Sequence, residues 1–225
     1  MCGRFTLTSD AQKIAEVFGV EVPDNFPARF NIAPSQPVAV IANNNPQKLE
    51  MFHWGLIPSW AKDPKIGSRM INARGETLAE KPSFKHAYKR RRCLILTDGF
   101  YEWQKNPNTK AKTPMYIHLT SGEPFALAGL WESWHSNDGS NILSCTIITT
   151  SPNEFMVDIH NRMPVILPTD AYDRWLDPTE QTPDKLNDLL VSYPAELMTA
   201  YPVSTFVNRP INDTPQCIEP VQTLL

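Results

Sequence analysis

The chain has 225 residues, of which 41% are hydrophobic and 20% charged, and its formal net charge is −3 at pH 7. This composition is typical of a soluble globular protein of one large or two small domains. A slightly acidic chain is not typical of nucleic-acid-binding proteins, although net charge does not report how the charge is distributed. The sequence lacks both an apolar run of roughly 18 residues and a secretory signal, so we expect a cytoplasmic protein that does not contact membranes.

Hydrophobic periodicity and capping signals predict a series of short helices and strands along the chain. Residues 10–18 form the first predicted helix, with Ser9 and Gln12 as its capping box, and residues 37–42 and 49–54 form a hairpin. Further elements are predicted at the following positions: a short helix at 82–89, strands at 93–97, 115–119, 125–131 and 142–149, a helix that begins near residue 151, and helices at 169–176 and 182–190.

Short turns, rather than helices, join most of the predicted strands. This order favours an α+β fold over a doubly wound parallel sheet. We therefore predict a single domain over residues 1–225, with a mostly antiparallel, curved or barrel-like β-sheet core flanked by short helices. The four cysteines form no C-x-x-C pair, so we expect no metal, no cofactor and no disulfide, with Cys93 and Cys145 buried in strands.

Cys2 becomes the N-terminal residue once Met1 is removed, and methionine aminopeptidases accept such a small second residue. An α-amine with a pKa of about 8 and a thiol with a pKa of about 8.5 are both partly nucleophilic near neutral pH. On one residue, the amine can form a Schiff base with an aldehyde and the thiol can then close a thiazolidine ring, which an internal cysteine cannot do. The alternative is a cysteine that lies by chance at a frayed terminus.

Three polar residues near Cys2 or in a dense polar cluster suit a substrate that carries a carbonyl group and phosphates. Arg4 can lower the pKa of the thiol or hold an anion, and a solvated surface arginine is the alternative. Asn72 and Arg74 share a face if their segment is extended, because side chains alternate along a strand. The alternative is that the polar residues at 71–77 form a turn and that Thr77 caps a helix.

Glu102, His160 and Trp60 are further candidates. Glu102 lies between two large aromatic residues, where burial raises the pKa of a carboxyl group and suits it to general acid–base catalysis, unless the carboxylate is exposed. His160 lies in a polar loop beside Arg162, a setting typical of functional sites, although a lone histidine is more often structural. Trp60 lies in a loop where it can stack on a base, or it closes the core.

Together these segments resemble the SRAP family, the SOS-response-associated peptidases, also called abasic-site processing proteins. The matching motifs occur in family order over nearly the whole chain: MCGRF at 1–5, NIAP at 31–34, WGLIP at 54–58, INAR at 71–74 with Glu76 and Thr77, DGFYEW at 98–103, IHNRMP at 159–164, and a C-terminal pattern at 203–204 and 207–208.

The resemblance implies a protein of the DNA-damage response that binds single-stranded or junction DNA at an abasic site and cross-links to the opened sugar through a thiazolidine. It implies a catalytic set of Cys2, Asn72, Glu102 and His160. The DNA contacts that it implies are Arg4, Pro34, Trp60, Arg74, Thr149 and Arg162. Weak abasic-site lyase activity and self-removal of Met1 are also expected, and we expect a monomer.

Two other functions fit parts of this pattern. Cys2 with His160 and Asn72 imitates the Cys-His-Asn set of a cysteine peptidase, as the family name suggests. Alternatively, the aromatic and basic residues belong to a single-stranded-DNA-binding module that performs no chemistry.

Overall fold

Two β-sheets form the body of the protein in the computed structural model, which describes residues 2–107, 109, 111–136 and 139–221. The strands of this part of the chain are β1 (Phe5–Leu7), β2 (Arg29–Ile32), β3 (Pro37–Ala42), β4 (Leu49–Trp54), β5 (Asn72–Arg74), β6 (Arg92–Thr97), β7 (Gly99–Lys105), β8 (Lys112–Leu119), β9 (Phe125–His135), β10 (Asn141–Thr150), β11 (Met163–Pro164), β12 (Ile166–Leu167) and β13 (Met198–Pro202).

Helices are short and flank the sheets. The α-helices are α1 (Ala11–Phe18), α2 (Lys85–Arg90) and α3 (Tyr172–Trp175). Short 3-10 helices cover Pro64–Arg69, Gly75–Thr77, Thr169–Ala171, Pro183–Lys185, Asn187–Leu189, Ala195–Leu197, Thr205–Asn208 and Pro215–Cys217.

Five strands of the larger sheet close into a barrel. β3 pairs with β4 and β6, β6 with β9, β9 with β10, and β10 returns to β4. The pairing of β4 with β10 is parallel, and the other four pairings of this ring are antiparallel. The predicted α+β fold with a mostly antiparallel, barrel-like core is therefore confirmed.

The barrel packs so closely that a side chain is excluded at Gly129 in β9. A Cβ atom there would lie 2.8 Å from the Sγ of Cys93 and 2.8 Å from the Cδ1 of Ile95. Cys93 and Cys145 are fully buried in β6 and β10 as free thiols, as predicted. Burial raises the pKa of both thiols, so each acts as a small apolar residue of the core.

The smaller sheet has the strand order β13-β8-β7-β1-β2, so the N-terminal strand β1 lies inside it. Phe5 of β1 faces Phe100 of β7 on one side and Ile32 of β2 on the other. The ring of Phe5 packs on Trp54 of the barrel, with 5.0 Å between the ring centroids. One continuous core thus joins the two sheets and holds the start of the chain between them.

The cap of helix α1 differs from the prediction. The side chain of Asp10, not Ser9, accepts a hydrogen bond from the N–H of Lys13 at 2.8 Å. Ser9 instead donates its N–H to the carboxylate of Asp98 at 2.8 Å. The capping box of Ser9 and Gln12 was wrong because a buried carboxylate binds the serine.

The predicted hairpin strands 37–42 and 49–54 match β3 and β4, whereas two predicted helices were wrong. Residues 154–159 form successive turns, and residues 183–189 form 3-10 helices. In the first case the side chain of Asn153 accepts a hydrogen bond from the N–H of Met156 and donates one to the carbonyl of Tyr193, which ties the turn to another loop. A tertiary contact thus overrides the local helix signal.

Asp98 fastens the first residues of the chain to strand β7. Its Oδ2 accepts hydrogen bonds from the N–H of Thr8 at 2.5 Å and the N–H of Ser9 at 2.8 Å, and its Oδ1 accepts one from the hydroxyl of Thr6. The carboxylate is almost buried, and a buried charge requires such partners to offset its lost hydration.

We expect Asp98→Asn to lower the free energy of unfolding by about 2 kcal/mol, because the variant removes hydrogen bonds to a charged acceptor at a buried position. Urea unfolding monitored by circular dichroism measures this change. The matched control is Asp63→Asn, since exposed Asp63 caps a 3-10 helix through one bond to the N–H of Lys65 and asparagine caps equally well. An equal decrease in both variants would contradict the anchoring role of Asp98.

Candidate active site

Four polar residues from distant parts of the chain meet where the two sheets join. Cys2 precedes β1, Asn72 begins β5, Glu102 lies in β7, and His160 follows the turns at 154–159. Asn72 Nδ2 donates a hydrogen bond to the carbonyl of Cys2 at 2.8 Å, and His160 Nε2 lies 3.9 Å from Glu102 Oε2. The structure therefore brings together the four residues of the predicted catalytic set, whose roles stay predictions.

The Cys2 thiol is fully buried. Burial raises its pKa well above the usual value, and the nearby carboxylate of Glu102 raises it further. The thiol Sγ lies 4.0 Å from the backbone carbonyl of Arg4. The thiol is therefore neutral at physiological pH, contrary to the idea that the guanidinium of Arg4 would lower its pKa.

Glu102 is 3% exposed, and burial raises the pKa of its carboxyl group. The neighbouring His160 lowers that pKa and so offsets part of the shift. A raised pKa is what the aromatic neighbours of Glu102 indicated in the sequence. Such a carboxyl group is suited to both donating and accepting a proton near neutral pH.

His160 has a backbone partner for each of its protonation states. Its Nδ1 lies 3.1 Å from the N–H of Arg162 and 3.1 Å from the carbonyl oxygen of the same residue. The neutral ring accepts the N–H at Nδ1, which leaves its own proton on Nε2 facing Glu102. The protonated ring donates from Nδ1 to the carbonyl. The imidazole can therefore gain or lose a proton without losing its position.

Arg4 is almost buried, so the interpretation as a solvated surface arginine was wrong. Its Nη1 donates to the Oδ1 of Asn31 and to the carbonyl of Val207, both at 2.8 Å. The guanidinium also lies 5.8 Å above the ring of Trp103. Its predicted contact with phosphate is not tested by these contacts and stays a prediction.

Arg162 is paired with Glu76, a residue to which the sequence motifs gave no role. Nη1 lies 2.5 Å from Oε1 of this glutamate and Nη2 lies 2.9 Å from Oε2, while Nη2 also donates to the carbonyl of Thr149 at 2.7 Å. This hydrogen-bonded pair lowers the pKa of the half-exposed Glu76 carboxyl group. The guanidinium of Arg162, whose predicted partner is a phosphate, is thus bound to the carboxylate of Glu76 in the free protein.

The remaining predicted DNA contacts differ in exposure. Trp60 is 59% exposed and does not close the core, whereas Trp54 is fully buried. Arg74 is exposed at the end of β5, where it pairs in register with Thr149 of β10. Pro34 is half-buried. An exposed aromatic ring and an exposed guanidinium are thus available to a ligand.

A family model described as SOS response associated peptidase (SRAP) matches residues 1–210. The chain belongs to the SRAP family. Among SRAP relatives, the abasic site processing protein YoqW of Bacillus subtilis is 49% identical over 223 residues, covering 97% of this chain and 99% of the relative. The abasic site processing protein HMCES of Rattus norvegicus is 33% identical over 241 residues, covering 90% of this chain and 68% of the relative.

Solved structures share this SRAP fold. A protein from Bacteroides thetaiotaomicron superposes with a TM-score of 0.88 at 25% identity, covering 98% of this chain and all of that one. A protein from Bordetella bronchiseptica superposes with a TM-score of 0.77 at 26% identity, covering 90% and 100%. Within the described residues, no helix is long and apolar enough to cross a membrane, and no group of three or more His, Cys, Asp or Glu side chains can hold a metal ion.

We expect Glu102→Gln to stabilise the protein increasingly as pH rises from about 4.5 to 7. Burial raises the pKa of the carboxyl group above its ordinary value of about 4.5, so its contribution to stability is present below that pH and is lost as pH rises through the folded-state pKa. Glutamine does not titrate and carries no buried charge. The test is the difference in melting temperature between the variant and the wild type, measured across this pH range.

The control for this series is Glu196→Gln, which removes an exposed carboxylate. The difference in melting temperature between this control and the wild type should stay constant across the same pH range. If the melting temperature of Glu102→Gln falls relative to that of the wild type as pH rises, the buried carboxylate is stabilised in its charged form.

Proposed function

We propose that this SRAP protein recognises abasic sites in single-stranded DNA, or at junctions with a single-stranded side, and cross-links to them through Cys2. The observation that carries the proposal is the placement of Cys2 in a buried position in contact with Asn72 and close to Glu102, with His160 facing Glu102. The names of the relatives, abasic site processing proteins, support the choice of substrate.

The cross-link forms in two steps once Met1 has been removed. The α-amine of Cys2 attacks the aldehyde carbon of the opened sugar and, with loss of one water, forms an imine. The thiol then adds across the C=N bond: sulfur bonds to the carbon, and the thiol proton passes to the nitrogen. The product is a five-membered thiazolidine. A neutral thiol is suited to this addition, because the proton that it loses is the one that the nitrogen gains.

Each neighbour of Cys2 has a task in this reaction. The amide Nδ2 of Asn72 holds the Cys2 carbonyl, while its Oδ1 is buried without a hydrogen-bond partner among the described residues and is free to accept from the α-amine. His160 moves the proton that opens the sugar ring, because both of its protonation states keep a partner. Glu102 donates the proton that leaves with water during imine formation.

The DNA strand in this proposal runs past Trp60 and Pro34, which border the displaced bases, and Arg74 binds a phosphate from its exposed position. Thr149 borders the abasic sugar, and Arg162 binds a phosphate once Glu76 releases it. Arg4 offers its Nε, a buried donor with no hydrogen-bond partner among the described residues. The Nε of Arg162 is likewise a buried donor with no hydrogen-bond partner among these residues. Each unpaired donor suits a phosphate oxygen.

A general cysteine peptidase is less well supported. Its nucleophile requires a lowered thiol pKa and a histidine that an amide orients. Here the pKa of Cys2 is raised, Asn72 binds the Cys2 carbonyl, and His160 faces Glu102. We therefore limit peptidase activity to removal of the protein's own Met1, and we expect only weak strand cleavage when the imine undergoes β-elimination.

Three proteins test the chemistry against single-stranded abasic DNA on a denaturing gel. Processed wild type should form a stable adduct, and none with undamaged DNA. Processed Cys2→Ala keeps the amine but not the thiol, so it should give only a borohydride-trappable imine and slow strand cleavage. A form with an unremovable residue before Cys2 should give no stable adduct, since an amide nitrogen cannot form an imine.

Intact mass before the reaction verifies the N-terminus of each sample. A blocked form that cross-links as well as the processed wild type would exclude the α-amine as the reacting group. A wild type that binds abasic DNA without a shifted band would favour a purely non-covalent binding module.

We expect Glu76→Gln to bind single-stranded DNA several-fold more tightly at low salt than the wild type. Arg162 is paired with Glu76 in the absence of DNA, so a phosphate must first displace a carboxylate. Fluorescence anisotropy measures the affinity. In an Arg162→Gln background the same change should have no effect. Glu80→Gln, which removes an exposed neighbouring charge, is the control, and an equal increase in affinity there would reduce the effect to general electrostatics.

A further inference from the structure

We propose that the hairpin of β7 and β8 forms a second phosphate-binding subsite, which holds the DNA strand one or two nucleotides from the lesion. This inference rests on the proposed function, because it assigns the path of the strand that the active site would bind. Neither the sequence motifs nor the family resemblance gave Lys105 or Lys112 of this hairpin a role. The subsite is a cavity lined by Trp103, Lys105, Lys112, Val157, Asp158, Ile159, His160 and Asn161.

Two lysines supply the positive charge of this cavity. Lys105 and Lys112 lie directly opposite each other in the antiparallel ladder, and both are exposed. Like charges in this position destabilise a hairpin. Among the described residues, neither lysine has an acidic partner within ion-pair distance. A phosphodiester between the two ammonium groups would relieve their repulsion, and this is the ligand that the arrangement fits.

The cavity wall suits a nucleotide as well as a phosphate. Trp103 is fixed by a hydrogen bond from its Nε1 to the Oδ1 of Asn208 at 2.7 Å, so one ring is held in place at the cavity. Val157 exposes 58% of its surface on another side. Aromatic and apolar surface beside cationic groups is the usual composition of single-strand binding grooves. Asp158 is the one carboxylate among the described residues of the lining, and the two lysines outnumber it.

The position of the cavity connects it to the chemistry. His160 lines the cavity and also faces Glu102, so a strand that leaves the active site on this side enters the subsite directly. Lys105 lies three residues beyond Glu102 in β7, so the two side chains lie on opposite faces of the strand and about 10 Å apart along it. The lysines therefore do not touch the reacting atoms, and the strand reaches them from the active site by way of His160, which lines the cavity.

The double variant Lys105→Gln/Lys112→Gln tests the subsite in the full-length, processed protein. The charge-matched control is Lys48→Gln/Lys185→Gln, which removes two exposed lysines from other parts of the surface. Anisotropy with a single strand that carries a tetrahydrofuran abasic analogue reports reversible binding, because the analogue has no aldehyde. Two shorter strands, with nucleotides on only the 5′ or only the 3′ side of the analogue, locate the effect.

The hairpin variant should bind the long strand about tenfold more weakly than the wild type at low salt. Its log–log salt dependence should be shallower by about 0.7 for each phosphate that the variant no longer binds. The weakening should appear with only one of the two one-sided strands. A weakening no larger than that of the control variant, or an equal weakening with both one-sided strands, would overturn the proposal.

Failure of the subsite and failure of the proposed function give different results. With saturating DNA that carries a true abasic site, the hairpin variant should reach the same final cross-link yield as the wild type. If wild type itself forms no cross-link, the proposed chemistry is wrong, whereas the analogue-binding comparison still decides the subsite.

Discussion

The buried carboxylate of Asp98 fixes the beginning of the chain, and the arrangement of the active site depends on this anchor. Chain termini are usually frayed, and a nucleophile at a frayed end would have no defined position. Here Asp98 binds the backbone of Thr8 and Ser9. Nearer the N-terminus, Arg4 donates hydrogen bonds to Asn31 and Val207. Strand β1 is thereby held between β7 and β2. Cys2, three residues before this strand, is buried as part of the core.

This placement decides which chemistry is open to Cys2. β1, which follows Cys2, belongs to the smaller sheet, and Asn72 begins a strand that pairs with the barrel. The hydrogen bond from Asn72 to the carbonyl of Cys2 therefore joins the two sheets at the proposed nucleophile. Burial there raises the pKa of the Cys2 thiol and of Glu102 together. A peptidase would need the thiol as an anion. The proposed addition to an imine instead needs a thiol that gives up its proton as it reacts, and in that proposal the neighbouring carboxyl group of Glu102 exchanges protons.

Local patterns predicted much of this structure, and long-range contacts account for the rest. Strands β3 and β4 follow from alternation and a turn, and the motifs point to the four residues that meet at the active site. The predicted cap at Ser9 failed because Asp98, 89 positions away, binds that serine. The pairing of Arg162 with Glu76 spans 86 positions, and no local pattern reports it. Closure of the barrel through β10 is likewise a contact between distant segments.

The distribution of positive charge explains how a chain of net charge −3 can bind a polyanion. Burial holds Arg4 inside the protein and lowers its pKa, and Glu76 neutralises Arg162. In the described part of the chain, Arg74 and the two hairpin lysines are exposed cations near the active site that have no carboxylate within ion-pair distance. In the proposed complex these exposed groups meet the phosphates of the arriving strand first, because Arg74, Lys105 and Lys112 lie at the surface. For the phosphate contacts proposed for Arg4 and Arg162, the neighbouring groups must first move, because the Nε atoms of both arginines are buried in the free protein.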